Sequence, residues 1–341
     1  MISRATRPDE IGHDSWLRVD DIATVAAVRR WVTAGALGLG FSEERVAHAG
    51  IVASELATNL VRHAGGGQLV LRCSEGEAAH LRLLAIDSGP GRRNIQAMIA
   101  DGRSSIGTLG IGLGACARLA NHFDVHSAPG VGTIVELVVC AEAGEATTAA
   151  RAASLTRPLE GEMRCGDTAA YRVVDGRVVG MLADGLGHGT LAAHASRRAA
   201  DVLHDNLGAG PAELLSLMHR RLGDTRGAAI AVVTVDTAAG EVVHAGVGNI
   251  SVRLLGGRGS QSFVSQPGIV GHRMPRVREM RVAVEDLHTL VMHSDGISQH
   301  WSPDDLAGSA AHSPAITCAA LVRAAASGRD DAGALAVGLS A

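Results

Sequence analysis

Apolar residues recur along this chain with two different periods. Over residues 21–38, DIATVAAVRRWVTAGALG, Ile22, Val25, Val28 and Val32 fall at helical spacing. Glycines and Phe41 follow, and Ser42 then predicts the N-cap of a second helix, EERVAHAGIVASELATNLVRHA. Glu43 and Glu44 lie in its first turn, where acids suit the helix dipole, while Arg45 at the third position leaves a capping box incomplete. Gly65-Gly66-Gly67 should end it. QLVLRC and AHLRLLAID then change to a strand pattern around a turn at Gly76. GIGLGACARLANHF is expected as a helix opened by glycines, and DVHSAPGVGTIVELVVC as a hairpin.

The pattern breaks over 141–158, AEAGEATTAARAASLTRP, which is small, polar and without apolar periodicity. This predicts a linker, partly helical, over 142–156 between a first domain (1–141) and a second (157–341). Strand-like AAYRVVDG and RVVGMLADG follow, joined by Asp175-Gly176, a hairpin dipeptide. Helical stretches at 190–205 and 211–222 come next. Further strands are expected in GAAIAVVTVDTAAGEVVHAGVGNISVRLL, RVREMRVAVED, TLVMHSDG and AGALAVGLS. The second half is strand-rich with one pair of adjacent helices, and no internal repeat is visible.

Composition narrows the chemistry. A length of 341 residues suits about two domains. Aromatic residues make up only 2%, too few to build the stacking platforms of single-strand binders, and the net charge is −4, so no nucleic-acid partner is expected. Lysine is absent: all 31 basic residues are arginine. That excludes a P-loop lysine, the strand lysine of eukaryotic-type protein kinases and Schiff-base chemistry. The five cysteines (Cys73, Cys116, Cys140, Cys165, Cys318) lack a C-x-x-C pair and suit reduced thiols. The N-terminus lacks the apolar core of a signal peptide, and no apolar run reaches the ~18 residues of a membrane span. A soluble cytoplasmic protein without membrane partners is the expectation.

Chemistry first gathers in SELATNLVRHA. Glu55, Asn59 and His63 are spaced i, i+4, i+8 on one helix face, while Leu56 and Leu60 point to the core. The Asn59 amide oxygen can hold magnesium, and the Glu55 carboxylate can take a proton from an attacking hydroxyl. Taken alone, such a stripe is an ordinary solvated helix face. It is followed, however, by LLAIDSGPG, a strand ending in Asp87 with Gly89 and Gly91 behind it. A carboxylate there can accept from an adenine amine. GTLGIGLGACARLA then sets Gly107, Gly110, Gly112 and Gly114 around a helix N-terminus, which offers unpaired N–H groups to phosphates. PGVGTIVEL places Gly132 and Thr133 at a strand start.

These boxes, in this order, resemble the GHKL ATPases, and ASELATNLVRHAGGG is most similar to their RsbT-like serine/threonine kinase branch. The likeness covers about residues 10–140. It implies Mg-ATP as cofactor, Glu55 as catalytic base, Asn59 as magnesium ligand and Asp87 as adenine reader. Gly89, Gly91, Gly110, Gly112, Gly114 and Thr133 are implied as the nucleotide cradle. His63 has no separate motif and is read as structural.

The second constellation is a series of acids at strand ends: Asp167 in RCGDTAAY, Asp184 in LADGLGHG, Asp295 in LVMHSDGIS, and Asp330 with Asp331 in GRDDAGALAVGL. Any one is an ordinary turn. Convergent carboxylates repel unless cations neutralise them, and oxygen-only sets suit magnesium or manganese. Two such ions can clamp a phosphoryl group for in-line attack by water.

This series resembles the SpoIIE-type branch of metal-dependent (type-2C) Ser/Thr phosphatases, and over about 155–341 is most similar to its RsbX-like members. The resemblance implies Asp167, Asp184, Asp295 and Asp330 as ligands of two Mg or Mn ions, with the Gly185 carbonyl, and Asp184 as a catalytic residue. Asn249 in GVGN matches a further segment near the site, and His188 belongs to the motif without being a ligand. Cys165, Ala332 and Gly333 depart from the usual pattern, which leaves Asp330 and Asp331 as alternatives.

The expected fold class is therefore α+β: a GHKL (Bergerat) α/β sandwich followed by an αββα phosphatase sandwich. The resemblance implies a bifunctional regulator acting on STAS-domain antagonist or stressosome proteins, with a downstream phosphatase or a sigma factor as further partners. Two alternatives stay open. The first domain is a nucleotide-sensing binding module without transfer activity, or it is an RsbW-like anti-sigma factor.

Overall fold

The computed structural model describes residues 14–76, 78–96, 109–142, 151–256, 259–284 and 287–339. The chain divides into two compact units between residues 149 and 150.

The first unit opens with β1 (Ser15–Val19), a five-residue strand too short to show in the apolar pattern. It then runs α1 (Thr24–Gly38), α2 (Glu43–Asn59), β2 (Gly67–Ser74), β3 (His80–Ile86), α3 (Leu109–Leu119), β4 (His122–Ala128) and β5 (Gly132–Cys140). Ser42 caps α2 as expected, its hydroxyl accepting from the Arg45 N–H at 3.3 Å. Beyond Asn59 the helix widens into one π turn, Leu60–Ala64, and Gly65 closes it with a φ of 74°. The strands form one antiparallel sheet in the order β1-β2-β3-β5-β4. Val28, Val32, Val52 and Leu56 from the helices pack with Leu69, Leu83 and Leu137 from the sheet in a single core.

The second unit contains β6 (Ala152–Arg157), β7 (Asp167–Val174), β8 (Arg177–Gly185), α4 (Gly189–Asp205), α5 (Pro211–Arg221) and β9 (Ala228–Asp236). It continues with β10 (Glu241–Val247), β11 (Ser251–Gly256), β12 (Gly259–Ser262), β13 (Met280–Ala283), β14 (Leu287–His293), α6 (Pro314–Ala325) and β15 (Ala332–Gly338). Two antiparallel sheets, β13-β10-β9-β8-β7 and β12-β11-β14-β15-β6, face each other across a core that includes Leu182, Val233, Leu254, Leu290 and Leu335. The helices α4 and α5 cover the first sheet and α6 the second, which gives the αββα sandwich. The β7–β8 hairpin turns at Asp175 and Gly176, both with positive φ, as the dipeptide predicts.

One boundary needs correction. The linker was expected to reach residue 156, but residues 152–157 form β6, paired with β15 from Ala152↔Val337 to Arg157↔Ala332. Ala152, Ala153, Ser154 and Leu155 are all buried, with α6 and β7 packed against the strand. Small side chains suit a strand covered on both faces, and their weak hydropathy hid it. Among the described residues no helix is long and apolar enough to cross a membrane.

Candidate functional site

In the first unit, α2, the end of β3 and the start of β5 enclose a cleft. Its lining includes Asn59, His63, Asp87, Gly91, Arg92 and Thr133, and its volume is about 510 Å³ with the open mouth included. Asp87 follows β3 directly. Its Oδ1 accepts the N–H of Gly89 at 2.8 Å and that of Thr133 at 3.0 Å, which fixes the carboxylate against two strand ends. The glycines here are steric requirements. A Cβ on Gly91, whose φ is 61°, would run into the Ala128 carbonyl oxygen, and one on Gly132 would strike the Asp87 carbonyl oxygen.

The helix face is not shared equally. Asn59 and His63 line the cleft, whereas Glu55 is half-buried one turn back, with its Oε2 where a Cβ on Gly112 would lie. Steps of four residues drift by about 40° on a helix of 3.6 residues per turn, so Glu55 is turned toward α3. Its charge is felt by Cys116 on α3, whose thiol is pushed up to about 12, first by burial and then by Glu55. Gly110, Gly112 and Gly114 lie within α3, and Gly107 falls outside the described residues. The Asn59 amide nitrogen is buried with no partner among the described residues. An amide in that position can be turned to present its oxygen, so the site fits a magnesium ion.

In the second unit, the acids gather at one end of the two sheets. Asp167 opens β7 and faces Asp184 near the end of β8 across the ladder. Asp295 follows β14, and Asp330 and Asp331 precede β15. Asp184 is pushed up to about 7, by burial first and then by Asp295 and Asp330. Asp167 is raised well above the carboxylate range by burial and by Asp184, and Asp295 is raised by burial and Asp330. Among the described residues no three His, Cys, Asp or Glu side chains close into a finished cage. The carboxylates form an open row instead: Asp184 is paired with Asp167 across the β7–β8 ladder, and Asp295 and Asp330 are near enough to raise its pKa.

The polar contacts distinguish the members of the row. Asp167 Oδ2 accepts from the Ser294 hydroxyl at 2.6 Å, while its Oδ1 is buried with no hydrogen-bond partner among the described residues. Asp295 Oδ2 accepts from the Asn249 amide at 2.7 Å. Asp331 is buried, and its two oxygens accept the N–H groups of Leu159 and Gly166 at 2.8 and 2.9 Å. Asp330 is exposed and near enough to raise both Asp184 and Asp295. An all-oxygen row with mutual repulsion and an orphaned buried oxygen fits divalent cations. His188 is engaged elsewhere, its Nδ1 lying 2.7 Å from Glu162.

Sequence reasoning left out His63 and Arg92 as cleft residues. The π turn that carries His63 into the cleft has no signal in the helical period, and Arg92 follows a glycine box without being part of it. The departures at Ala332-Gly333 have a steric cause. A Cβ on Gly333 would lie 3.1 Å from the Asp167 Cβ, and the Gly333 N–H donates to Ser294 Oγ at 2.9 Å, behind Asp167.

Comparison with known proteins divides the chain in the same way. The family model for the histidine kinase-like ATPase domain matches residues 19–139, and that for stage II sporulation protein E (SpoIIE) matches residues 174–338. The serine/threonine-protein kinase RsbT of Bacillus subtilis (strain 168) is 33% identical over 129 residues, covering 35% of this chain and 97% of RsbT. The phosphoserine phosphatase RsbX of the same organism is 22% identical over 141 residues, covering 41% of this chain and 70% of RsbX. A solved structure described as the bacterial stressosome, a modular system adapted to control secondary messenger signaling, is 29% identical. It covers 54% of this chain and 97% of that one, with a TM-score of 0.51.

Proposed function

The chain belongs to the RsbT-like histidine kinase-like ATPases in its first unit and to the SpoIIE family in its second, and on that premise we propose that it sets and clears phosphate on Ser or Thr of STAS-domain partners of the stressosome or anti-anti-sigma kind, thereby controlling an alternative sigma factor. One observation carries this reading. Two sites suited to phosphoryl chemistry, a cleft and a carboxylate row, are built into separate compact units of one chain.

In the first unit, Asp87 holds the adenine end of ATP and Asn59 a magnesium ion beside the phosphates. Glu55 takes the proton from the partner's hydroxyl as that oxygen bonds to the γ-phosphorus and the bond to the β-phosphate oxygen breaks. In the second unit, Asp167, Asp184, Asp295 and Asp330, with the Gly185 carbonyl, hold two Mg or Mn ions. These supply charge neutralisation and Lewis acidity. Water adds to phosphorus, the ester bond breaks, and the partner's hydroxyl and inorganic phosphate leave. Asn249 orients Asp295, and Asp331 ties residues 159 and 166 to the start of β15.

The test uses Asp184→Asn protein, which is silent as a phosphatase, with γ-labelled ATP, magnesium and each STAS-domain protein of the source genome. Label on one of them, lost in Asp184→Asn/Glu55→Ala, is expected. ATP binding without label on any would remove the kinase half. A second reading, a nucleotide-sensing module that regulates the phosphatase, is favoured by the place of Glu55 outside the cleft lining. It requires regulation to survive Glu55→Ala.

A further inference from the structure

A phosphorylated side chain approaching the carboxylate row brings a dianion to a negatively charged surface. Ions offset this charge, and a fixed cation beside them would help to orient the phosphoryl oxygens. The chain has no lysine, so among its permanently charged side chains only arginine can supply such a cation.

Arg226 occupies the short segment between α5 and β9. The Thr225 N–H and hydroxyl both donate to the Leu222 carbonyl, at 2.9 and 2.8 Å, and the Gly227 N–H donates to Thr225 Oγ1 at 3.0 Å. The Gly227 carbonyl accepts the N–H of Leu186 at 3.1 Å, which ties this segment to the turn that follows Asp184. The backbone on both sides of Arg226 is therefore fixed relative to the metal-binding turn.

The guanidinium lies over that turn. A Cβ on Gly187 would be 3.0 Å from Arg226 Nη1, so the glycine leaves the room it occupies. Arg226 is exposed and has no ion-pair or hydrogen-bond partner among the described residues, although its unit holds a row of carboxylates. Two other arginines of the unit are held elsewhere. Arg198 pairs with Asp224 at 2.6 Å, and Arg253 donates to the carbonyls of Trp301 and Gln299. Arg164 is exposed like Arg226, but of the two it is Arg226 that lies against the Gly187 turn.

We propose that Arg226 is the residue that grips the phosphoryl group of the substrate, with its planar fork matched to two phosphoryl oxygens. The proposal rests on the phosphatase reading of the second unit. It assigns Arg226 to binding and orientation, and leaves ion binding to the row.

The test compares full-length wild type, Arg226→Ala and Arg226→Lys, with p-nitrophenyl phosphate as substrate, manganese as metal and inorganic phosphate as competitive inhibitor. In Arg226→Ala, KM and the phosphate inhibition constant should rise about tenfold while kcat stays within about threefold. The manganese concentration for half-maximal activity should not move, and Arg226→Lys should recover part of the loss. Unchanged KM and inhibition constant in an active Arg226→Ala protein would overturn the proposal alone. A manganese midpoint that shifts with them would also overturn it, because Arg226 would then act on the row. Wild-type turnover no higher than that of Asp184→Asn would remove the phosphatase reading and the proposal together.

Discussion

The first cleft is walled by apolar side chains with Asn59, His63, Arg92 and one carboxylate, Asp87, whose Oδ1 already accepts two N–H groups. The second site is a row of carboxylates that raise one another's pKa, with Asp184 pushed up to about 7. On the proposed reading both units face phosphate, with different electrostatics. The cleft would receive a ligand that carries its own negative charge and needs close backbone approach, so shape dominates. The row would need cations, so charge dominates. Damage to shape should be felt in folding and nucleotide binding of the first unit, and damage to charge in metal binding and turnover of the second.

The largest expected effect breaks the charge side. Asp184→Asn should lower p-nitrophenyl phosphate turnover by about 10³-fold or more, equivalent to ~4 kcal/mol of barrier. Without metal the same variant should melt higher than wild type, because one member of a repelling row is neutral. Manganese should then raise the melting temperature of wild type more than that of the variant. ATP binding should be unchanged in both. A metal-free variant that melts lower would show that the row is not under repulsion.

On the shape side, Gly91→Ala places a methyl group against the Ala128 carbonyl oxygen at a position with φ of 61°. Backbone must move to admit it, at a cost of about 2–4 kcal/mol. ATP binding followed by calorimetry should be lost or greatly weakened, while phosphatase turnover is retained. An intermediate effect returns to the row. Asn249→Ala removes the amide that holds Asp295 Oδ2 at 2.7 Å, and should weaken manganese affinity by about 10–100-fold. Binding within twofold of wild type would leave Asn249 without an orienting role.

The same contrast explains what could be read from sequence. Acids at strand ends announce themselves, because Asp167, Asp184, Asp295 and the Asp330-Asp331 pair each border an apolar run, and antiparallel sheets bring strand ends together. Within the pair, hydrogen bonding and burial distinguish Asp331, clamped by two N–H groups, from exposed Asp330, and spacing records neither. The cleft was less legible. Asn59 and Asp87 stand in recognisable boxes, but the π turn carrying His63 and the turn of Glu55 toward Gly112 depend on local winding that spacing does not record. β6 was missed for a third reason. AASLTR is buried on both faces by small residues, so its hydropathy resembles that of a linker.

The smallest effect sharpens the comparison through two histidines of opposite sign. His244 in β10 is buried, with neither ring nitrogen hydrogen-bonded among the described residues and the Phe263 ring centroid 4.8 Å away. Burial lowers its pKa from 6.5 to about 4. The unfolded chain therefore binds the proton first, and the stability this group contributes is full above its unfolded pKa and is lost as pH falls toward its folded one. Between pH 7 and pH 5 the loss should be about 2 kcal/mol, and His244→Leu should remove that slope. His122 in the first unit behaves oppositely. Its Nε2 lies 3.4 Å from Glu136, and that hydrogen bond raises its pKa. Its contribution is full below the unfolded pKa of 6.5 and is lost as pH rises through the folded value. Denaturant unfolding of the full chain across pH 5–8 should show these contributions in separate transitions: His244→Leu should reduce the slope of the second unit, leaving the share of buried His293, and His122→Gln should change only that of the first. A change of both slopes in either single variant would mean that the two units do not unfold independently.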